Sequence, residues 1–176
     1  MIRKIVGVKN IKLRKKSKPV KNFDRKIQKL VTDMKDTLSS QKDPEGVGLA
    51  APQIGKNLRI FVVNYDGNQK VVINPKILKV ENKKKQAKKK KEKNLLEGCL
   101  SLPHYYGPIK RPNFIKIKYQ NELGKEITEE FKGFIAQIIQ HEIDHLNGII
   151  FIDRVLEQKS PLYKFSGEDW EEVELL

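Results

Sequence analysis

The chain has 176 residues, of which 38% are hydrophobic and 33% are charged, and its formal net charge is +14. This length suffices for one core and is too short for two comfortable domains, and the composition excludes a disordered chain. No apolar run approaches the roughly 18 residues that a membrane helix needs, and the single cysteine excludes an internal disulfide framework.

The first half of the chain predicts a helix followed by a meander of strands. Apolar residues at helical spacing predict an amphipathic helix over residues 24–40, which ends before Pro44. Three β-branched runs then predict strands at 59–64, 70–74 and 76–81. The Asp66-Gly67 pair predicts a hairpin between the first two of these strands. A lysine-rich loop is expected at 82–94, because such a density of like charge cannot enter a core.

The region after this loop contains further strand patterns. Residues 95–102 predict a strand that enters an irregular, proline-punctuated stretch ending at Pro112. Residues 114–120 alternate between apolar and polar side chains, and residues 126–131 complete a hairpin with them.

The last part of the chain predicts a second helix over residues 133–147, which Gly148 ends at the C-cap position. A short acidic tail follows at 166–176. Strands that lie mostly in hairpins, together with two separated helices, predict an α+β fold. We therefore expect one domain over residues 1–176, with antiparallel β-sheets around a central helix and an N-terminal amphipathic helix.

The second predicted helix carries a metal-binding pattern, HEIDH, at residues 141–145. His141 and His145 lie four residues apart and so share one helix face, from which both imidazoles can reach a single ion. Glu142 lies beside them, off the coordination axis, where a general base for metal-activated water belongs. Two chance surface histidines would give the same pattern, but the adjoining helix face is strongly apolar, so burying this glutamate without a metal or partner would be costly.

A catalytic metal usually has three protein ligands and one open position. Cys99 is the strongest candidate for the third ligand, because a soft thiolate suits zinc or ferrous iron. A single cysteine is also often only a small buried hydrophobe. His104, Asp153 and Glu157 are the other candidates.

Three motifs occur in order along the chain. They are GVGLAAPQ at 46–53, EGCLS at 97–101 and QHEIDH at 140–145. With these motifs the sequence resembles the peptide deformylases, and the resemblance extends to about residue 155. It implies a metallohydrolase of protein biosynthesis that removes the formyl group from the N-terminal formyl-methionine of newly made peptides and releases formate. Water activated by the metal would attack the formyl carbon, with Glu142 as general base.

The same resemblance implies roles for further residues. It assigns the metal to Cys99, His141 and His145, and oxyanion stabilisation to the Gln53 amide and the Leu100 backbone N–H. The residues that it implies for substrate binding are Val47, Gly48, Gly98, Phe134 and Ile138. Glu97 would orient the cysteine segment, through Arg111. One divalent metal ion is expected, with ferrous iron as the native choice and zinc, nickel or cobalt as alternatives.

Two other functions stay open from the sequence. A metallo-endopeptidase with the same HExxH site would cleave internal peptide bonds, and a basic RNA-binding protein would need no metal. The expected partners are N-formylmethionyl nascent peptides, and no membrane is expected. Two interpretations of the basic loop at 82–94 stay open, contact with the ribosome or its RNA and an ordinary solvated loop. The expected compartment is a bacterial cytoplasm, or an organellar matrix if a transit peptide has been removed.

Overall fold

A computed structural model describes residues 1–82 and 96–174 of the chain. All of the lysine-rich loop predicted at 82–94 except Asn82 lies outside these residues, as do the last two residues of the predicted acidic tail. The described part contains three α-helices: α1 (Arg25–Ser40), α2 (Phe134–Leu146) and α3 (Phe151–Glu157). It also contains two 3₁₀ turns, Ile11–Arg14 and Ala51–Ile54.

Nine strands in the described residues form two antiparallel sheets. They are β1 (Gly48–Ala50), β2 (Ile60–Tyr65), β3 (Asn68–Glu81), β4 (Glu97–Cys99), β5 (Leu102–Gly107), β6 (Phe114–Gln120), β7 (Glu126–Lys132), β8 (Leu162–Phe165) and β9 (Trp170–Val173). The five-stranded sheet has the order β1-β2-β3-β6-β7, and the four-stranded sheet has the order β4-β5-β8-β9. Every strand pairing in both sheets is antiparallel. The predicted α+β class with antiparallel sheets is confirmed.

Helix α1 occupies the segment where the sequence predicts a helix over 24–40. Asp24 caps it, since its side chain accepts hydrogen bonds from the backbone N–H groups of Lys26 and Ile27, both at 3.0 Å. Its apolar face buries Met34 and Leu38 in a cluster with residues of β1, β2 and β3. This cluster holds α1 on the face of the five-stranded sheet opposite α2.

The β2–β3 hairpin forms at the predicted turn. Tyr65 pairs with Asn68, and Asp66 and Gly67 between them have φ values of 51° and 72°. A two-residue turn with positive φ at both positions matches the twist of the flanking strands, which is why Asp-Gly is favoured there.

The prediction of separate strands at 70–74 and 76–81 is wrong. The structure has one long strand, β3, whose register with β6 shifts between Ile73 and Lys76. Asn74 lies in this bulge with φ 52°, and its side-chain amide bonds both the N–H and the C=O of Val20 at 2.8 Å. The strand therefore passes through Pro75 by a bulge, where a proline removes no ladder hydrogen bond.

Further elements differ from the sequence prediction, and strands β8 and β9 were not predicted either. The region predicted as one strand at 95–102 followed by an irregular stretch contains two strands, β4 and β5, which pair with each other. Helix α3 was not predicted, because its seven residues are too few to show a helical period. All of these elements are short, and their tertiary contacts stabilise them more than their local pattern does.

Helix α2 lies between the two sheets and is almost wholly buried. Ile139, Ile143 and Leu146 pack into a core with residues of β2, β3 and β6, and burying each such side chain contributes about 1.5–3 kcal/mol. The helix ends at Asn147 as the C-cap residue, one position earlier than predicted, and Gly148 follows with φ 79°. None of the helices in the two described ranges has the length and apolarity that a bilayer-spanning segment requires.

Candidate metal centre and its cleft

The second sheet and the central helix bring one sulfur and two ring nitrogens together. The Cys99 Sγ at the end of β4 lies 3.3 Å from His145 Nε2, which lies 3.1 Å from His141 Nε2. All three ligand atoms lie within 4.8 Å of one another, and all three residues are buried. Donor atoms around a tetrahedral zinc or similar ion are separated by about 3.3–3.6 Å. The donor set therefore fits a single divalent metal, and the two closest spacings lie within a few tenths of an ångström of those expected around such an ion.

A hydrogen bond at Nδ1, on the side of the ring away from Cys99 and His145, sets the orientation of His141. Its Nδ1 donates to Glu97 Oε1 at 2.8 Å, which leaves the Nε2 lone pair directed toward Cys99 and His145. Arg111 binds the same carboxylate in a bidentate manner, with Nε–Oε2 and Nη2–Oε1 distances of 2.6 and 2.8 Å. Burial alone would raise the pKa of Glu97, but the bonds from Arg111 and the contact with His141 outweigh it and hold that pKa well below the usual range.

A network of ion pairs extends from Arg111 to Asp144, which precedes His145 in helix α2. Arg111 Nη1 donates to Asp144 Oδ2 at 3.0 Å, and Arg154 of α3 donates to both Asp144 oxygens at 2.9 and 2.6 Å. Asp144 precedes His145 directly in the chain but does not bond its ring, since His145 Nδ1 has no hydrogen-bond partner among the described residues. The expected Glu97–Arg111 pair is present, and its carboxylate contacts His141. The sequence analysis missed Asp144 and Arg154, because no local pattern predicts a contact between α2 and α3.

The surroundings of the Cys99 sulfur favour the thiolate, which is the form that binds a metal. Burial alone would raise its pKa, but the neighbouring imidazoles of His145 and His141 lower the Cys99 pKa well below its ordinary value. The Gln53 amide lies on the other side of the sulfur, with Nε2 3.6 Å from Cys99 Sγ, while its Oε1 accepts the Ala50 N–H at 2.8 Å. This second bond fixes which end of the amide faces the sulfur.

Glu142 is 2% exposed and faces the same space as the three donors. Its Oε2 has no hydrogen-bond partner among the described residues, and burial raises the pKa of its carboxyl to about 7. Its carboxylate also lies against the Cα of Gly48: a Cβ there would come within 2.9 Å of Glu142 Cδ and closer still to Oε1. Gly48 is therefore required for the close approach of β1 to this carboxylate.

Cys99, His141 and Glu142 line a cleft of about 360 Å³ between the sheets, whereas His145 is not among its lining residues. Every predicted substrate-binding residue lines it, and so do the predicted oxyanion residues. The lining includes Val47, Gly48, Gln53, Gly98, Cys99, Leu100, Phe134, Ile138, His141 and Glu142. Of the other ligand candidates, His104 lines the cleft but is not part of the cysteine–histidine cluster, whereas Asp153 pairs with Arg14 and Glu157 pairs with Arg154.

Comparison with known proteins agrees with the motifs. A family model described as polypeptide deformylase matches residues 2–161. The peptide deformylase of Thermotoga maritima is 41% identical over 152 residues, which cover 86% of each chain. Peptide deformylase 2 of Clostridium acetobutylicum is 42% identical over 145 residues, covering 82% of this chain and 89% of the relative.

Solved structures show the same likeness in three dimensions. The peptide deformylase crystal structure from Legionella pneumophila superposes with a TM-score of 0.77 at 39% identity, covering 88% of this chain and 86% of that one. The structure from T. maritima gives a TM-score of 0.76 at 40% identity, covering 88% of this chain and 97% of that one. The chain belongs to the polypeptide deformylase family.

Proposed function

We propose that this chain hydrolyses the formyl group of N-terminal formyl-methionine in newly made peptides. Water adds to the formyl carbon, the carbon–nitrogen bond breaks, and formate and a free methionine amine leave. The observation that supports this most strongly is the convergence of the Cys99 sulfur and two imidazole nitrogens beside the Glu142 carboxylate, at the floor of a cleft. The resident cofactor would be one divalent metal held by Cys99, His141 and His145.

Ferrous iron is our proposal for the native metal, with zinc, nickel or cobalt as substitutes, because a mixed thiolate–imidazole set accepts all of them. When bound, such an ion would polarise the formyl carbonyl and lower the pKa of water at the site. An iron site with a thiolate ligand would be sensitive to oxygen. Protein for assays should therefore be prepared anaerobically.

Glu142 is proposed as the general base. It takes a proton from the attacking water and delivers it to the nitrogen that leaves as the amine. Its free Oε2 and its burial beside the ligands support this role. The Gln53 side-chain N–H and the Leu100 backbone N–H would donate hydrogen bonds to the formyl oxygen as negative charge develops on it.

The methionine side chain is proposed to enter the apolar part of the cleft formed by Val47, Phe134 and Ile138. The peptide backbone would run between β1 and β4, pairing with Val47 and Gly98 as an added strand. Because Gly48 has no side chain, the Glu142 carboxylate can reach the scissile amide beside β1. The crowding of Gly48 and Glu142 beside the donors would admit a formyl group and hinder larger acyl groups.

We further propose that residues 1–176 act as one domain in a bacterial cytoplasm or an organellar matrix. Contact with ribosomal RNA through the lysine-rich loop at 82–94 stays a prediction from charge alone. Such binding should weaken steeply as salt is raised and after deletion of the loop.

The test is formate release from formyl-Met-Ala by anaerobically prepared protein. Formate and free Met-Ala in equal amounts are the expected products. An endopeptidase would instead cleave an unformylated peptide internally without formate. A metal-loaded preparation that releases no formate would overturn the proposed function.

A further inference from the structure

The C-terminal hairpin, β8–β9, lies beyond the residues that the family model matches. That match ends at residue 161, whereas the hairpin spans Leu162–Val173. Strand β8 pairs with β5, which pairs with the Cys99-bearing strand β4. The hairpin therefore extends the sheet that forms one wall of the proposed active-site cleft.

Tyr106 on β5 is the residue through which this extension reaches the cleft. It lines the cleft and pairs across the ladder with Gly98, to which the substrate backbone is proposed to bind. A Cβ built on Gly98 would lie 2.7 and 2.8 Å from Cδ1 and Cε1 of the Tyr106 ring. The ring thus covers Gly98 and lies next to any peptide strand that pairs there.

Trp170 on β9 supports this ring from the hairpin. Its ring centroid lies 5.4 Å from that of Tyr106, with planes at 64°, and 4.9 Å from that of Phe165. Trp170 is not among the cleft-lining residues and is 52% exposed. An exposed aromatic side chain in edge-to-face contact with a cleft-lining ring can fix that ring's position without touching the substrate.

We propose that the C-terminal hairpin is a specificity element in which Trp170 positions the Tyr106 ring against the residues that follow methionine in the substrate. The fixed ring favours peptides with aromatic side chains after methionine, because they stack on it. Trp170 is a positioning residue and acts only through Tyr106. This inference rests on the proposed deformylase function.

The test compares formate release from formyl-Met-Phe-Phe and formyl-Met-Ala-Ala. The wild-type protein should prefer the aromatic peptide in kcat/KM, and Trp170→Ala should reduce that preference by about 2- to 10-fold, the range for an aromatic pair. The loss should appear as a raised KM for the aromatic peptide with an unchanged kcat, because the substitution does not touch the reacting groups. Trp170→Phe should restore most of the preference.

Two further variants separate positioning from a general structural effect. Glu172 lies on the same strand as Trp170, and the Glu172→Ala variant should keep the wild-type peptide preference. Tyr106→Ala should lose the preference, and adding Trp170→Ala to it should cause no further loss, since both act through one ring.

Binding can also be read without turnover, because Trp170 is the only tryptophan in the sequence. Titration with the product peptide Met-Phe-Phe should change the Trp170 emission in a saturable way, and Tyr106→Ala should abolish that change. Formate release with an unchanged peptide preference in Trp170→Ala would overturn the inference alone. No formate from any peptide with metal-loaded wild type would overturn the proposed function and the inference with it.

Discussion

The two sides of the Cys99–His141–His145 cluster differ in how their carboxylates are paired. Behind the cluster, Glu97 and Asp144 are engaged by arginines and Glu97 also accepts a bond from His141, while His145 Nδ1 has no partner among the described residues. On the cleft side, Glu142 Oε2 has no partner among the described residues. Buried polar groups are usually paired, so the unpaired carboxylate oxygen indicates where a ligand or substrate belongs. The side with Glu97 and Asp144, the supporting side, holds the metal-ligand atoms in place. The side with Glu142, the open side, is where water and substrate would react.

The strongest test of the open side is Glu142→Gln. The amide keeps the size of the carboxylate but cannot accept the proton from water, so turnover should fall by between about 10² and 10⁴. Metal content should stay at the wild-type level, because the donors are unchanged. Measuring formate release and metal content on the same sample separates these effects, and near-wild-type turnover would exclude Glu142 as the base.

Gln53→Ala should lower kcat by about 10²- to 10³-fold, the cost of one lost oxyanion donor. The comparison is Gln69→Ala, which removes an exposed amide bonded to Ser39 at 2.7 Å on the far side of the sheet. It should leave kcat unchanged. A Gln53 variant with full kcat and only a raised KM would assign the amide to substrate binding instead.

Gly48→Ala tests how closely β1 must approach the general base. The new Cβ would displace the Glu142 carboxylate, and misplacement of about 1 Å costs roughly 10²-fold in rate. Gly7→Ala is the matched control, since a Cβ there meets nothing within 4 Å. If both alanine variants were fully active, the carboxylate position in the structure would not be the working one.

Substitutions on the supporting side should lower the metal affinity more than they lower the rate of the chemical step. Glu97→Gln keeps the shape but weakens the bond to His141 and leaves buried Arg111 with less negative charge, so metal affinity should fall by about 10- to 100-fold. Glu122→Gln breaks a half-exposed pair with Lys35, which should cost at most about 1 kcal/mol and leave the metal in place. Chelator titration of both variants measures the difference in metal affinity. Equal affinities would show that Glu97 does not support the metal ligands.

The sequence predicted the open side better than the supporting side. His141 and His145 were predicted from helical spacing and Cys99 from the suitability of a thiolate as a ligand, whereas Gln53 and Leu100 were implied by the resemblance to the family. Asp144 and Arg154 were missed, since their contact joins two helices and leaves no local pattern. The bulge at Asn74 was missed for the same reason: the Val20 backbone that pairs with its side chain is 54 residues away in sequence.

The most direct measurement is the metal content and X-ray absorption spectrum of anaerobically purified protein, with Cys99→Ala as its partner. We predict about one divalent ion per chain, with one sulfur and two imidazole nitrogens among its ligands, and its loss from the variant. A first shell without sulfur, or full metal occupancy in Cys99→Ala, would contradict the proposed metal centre.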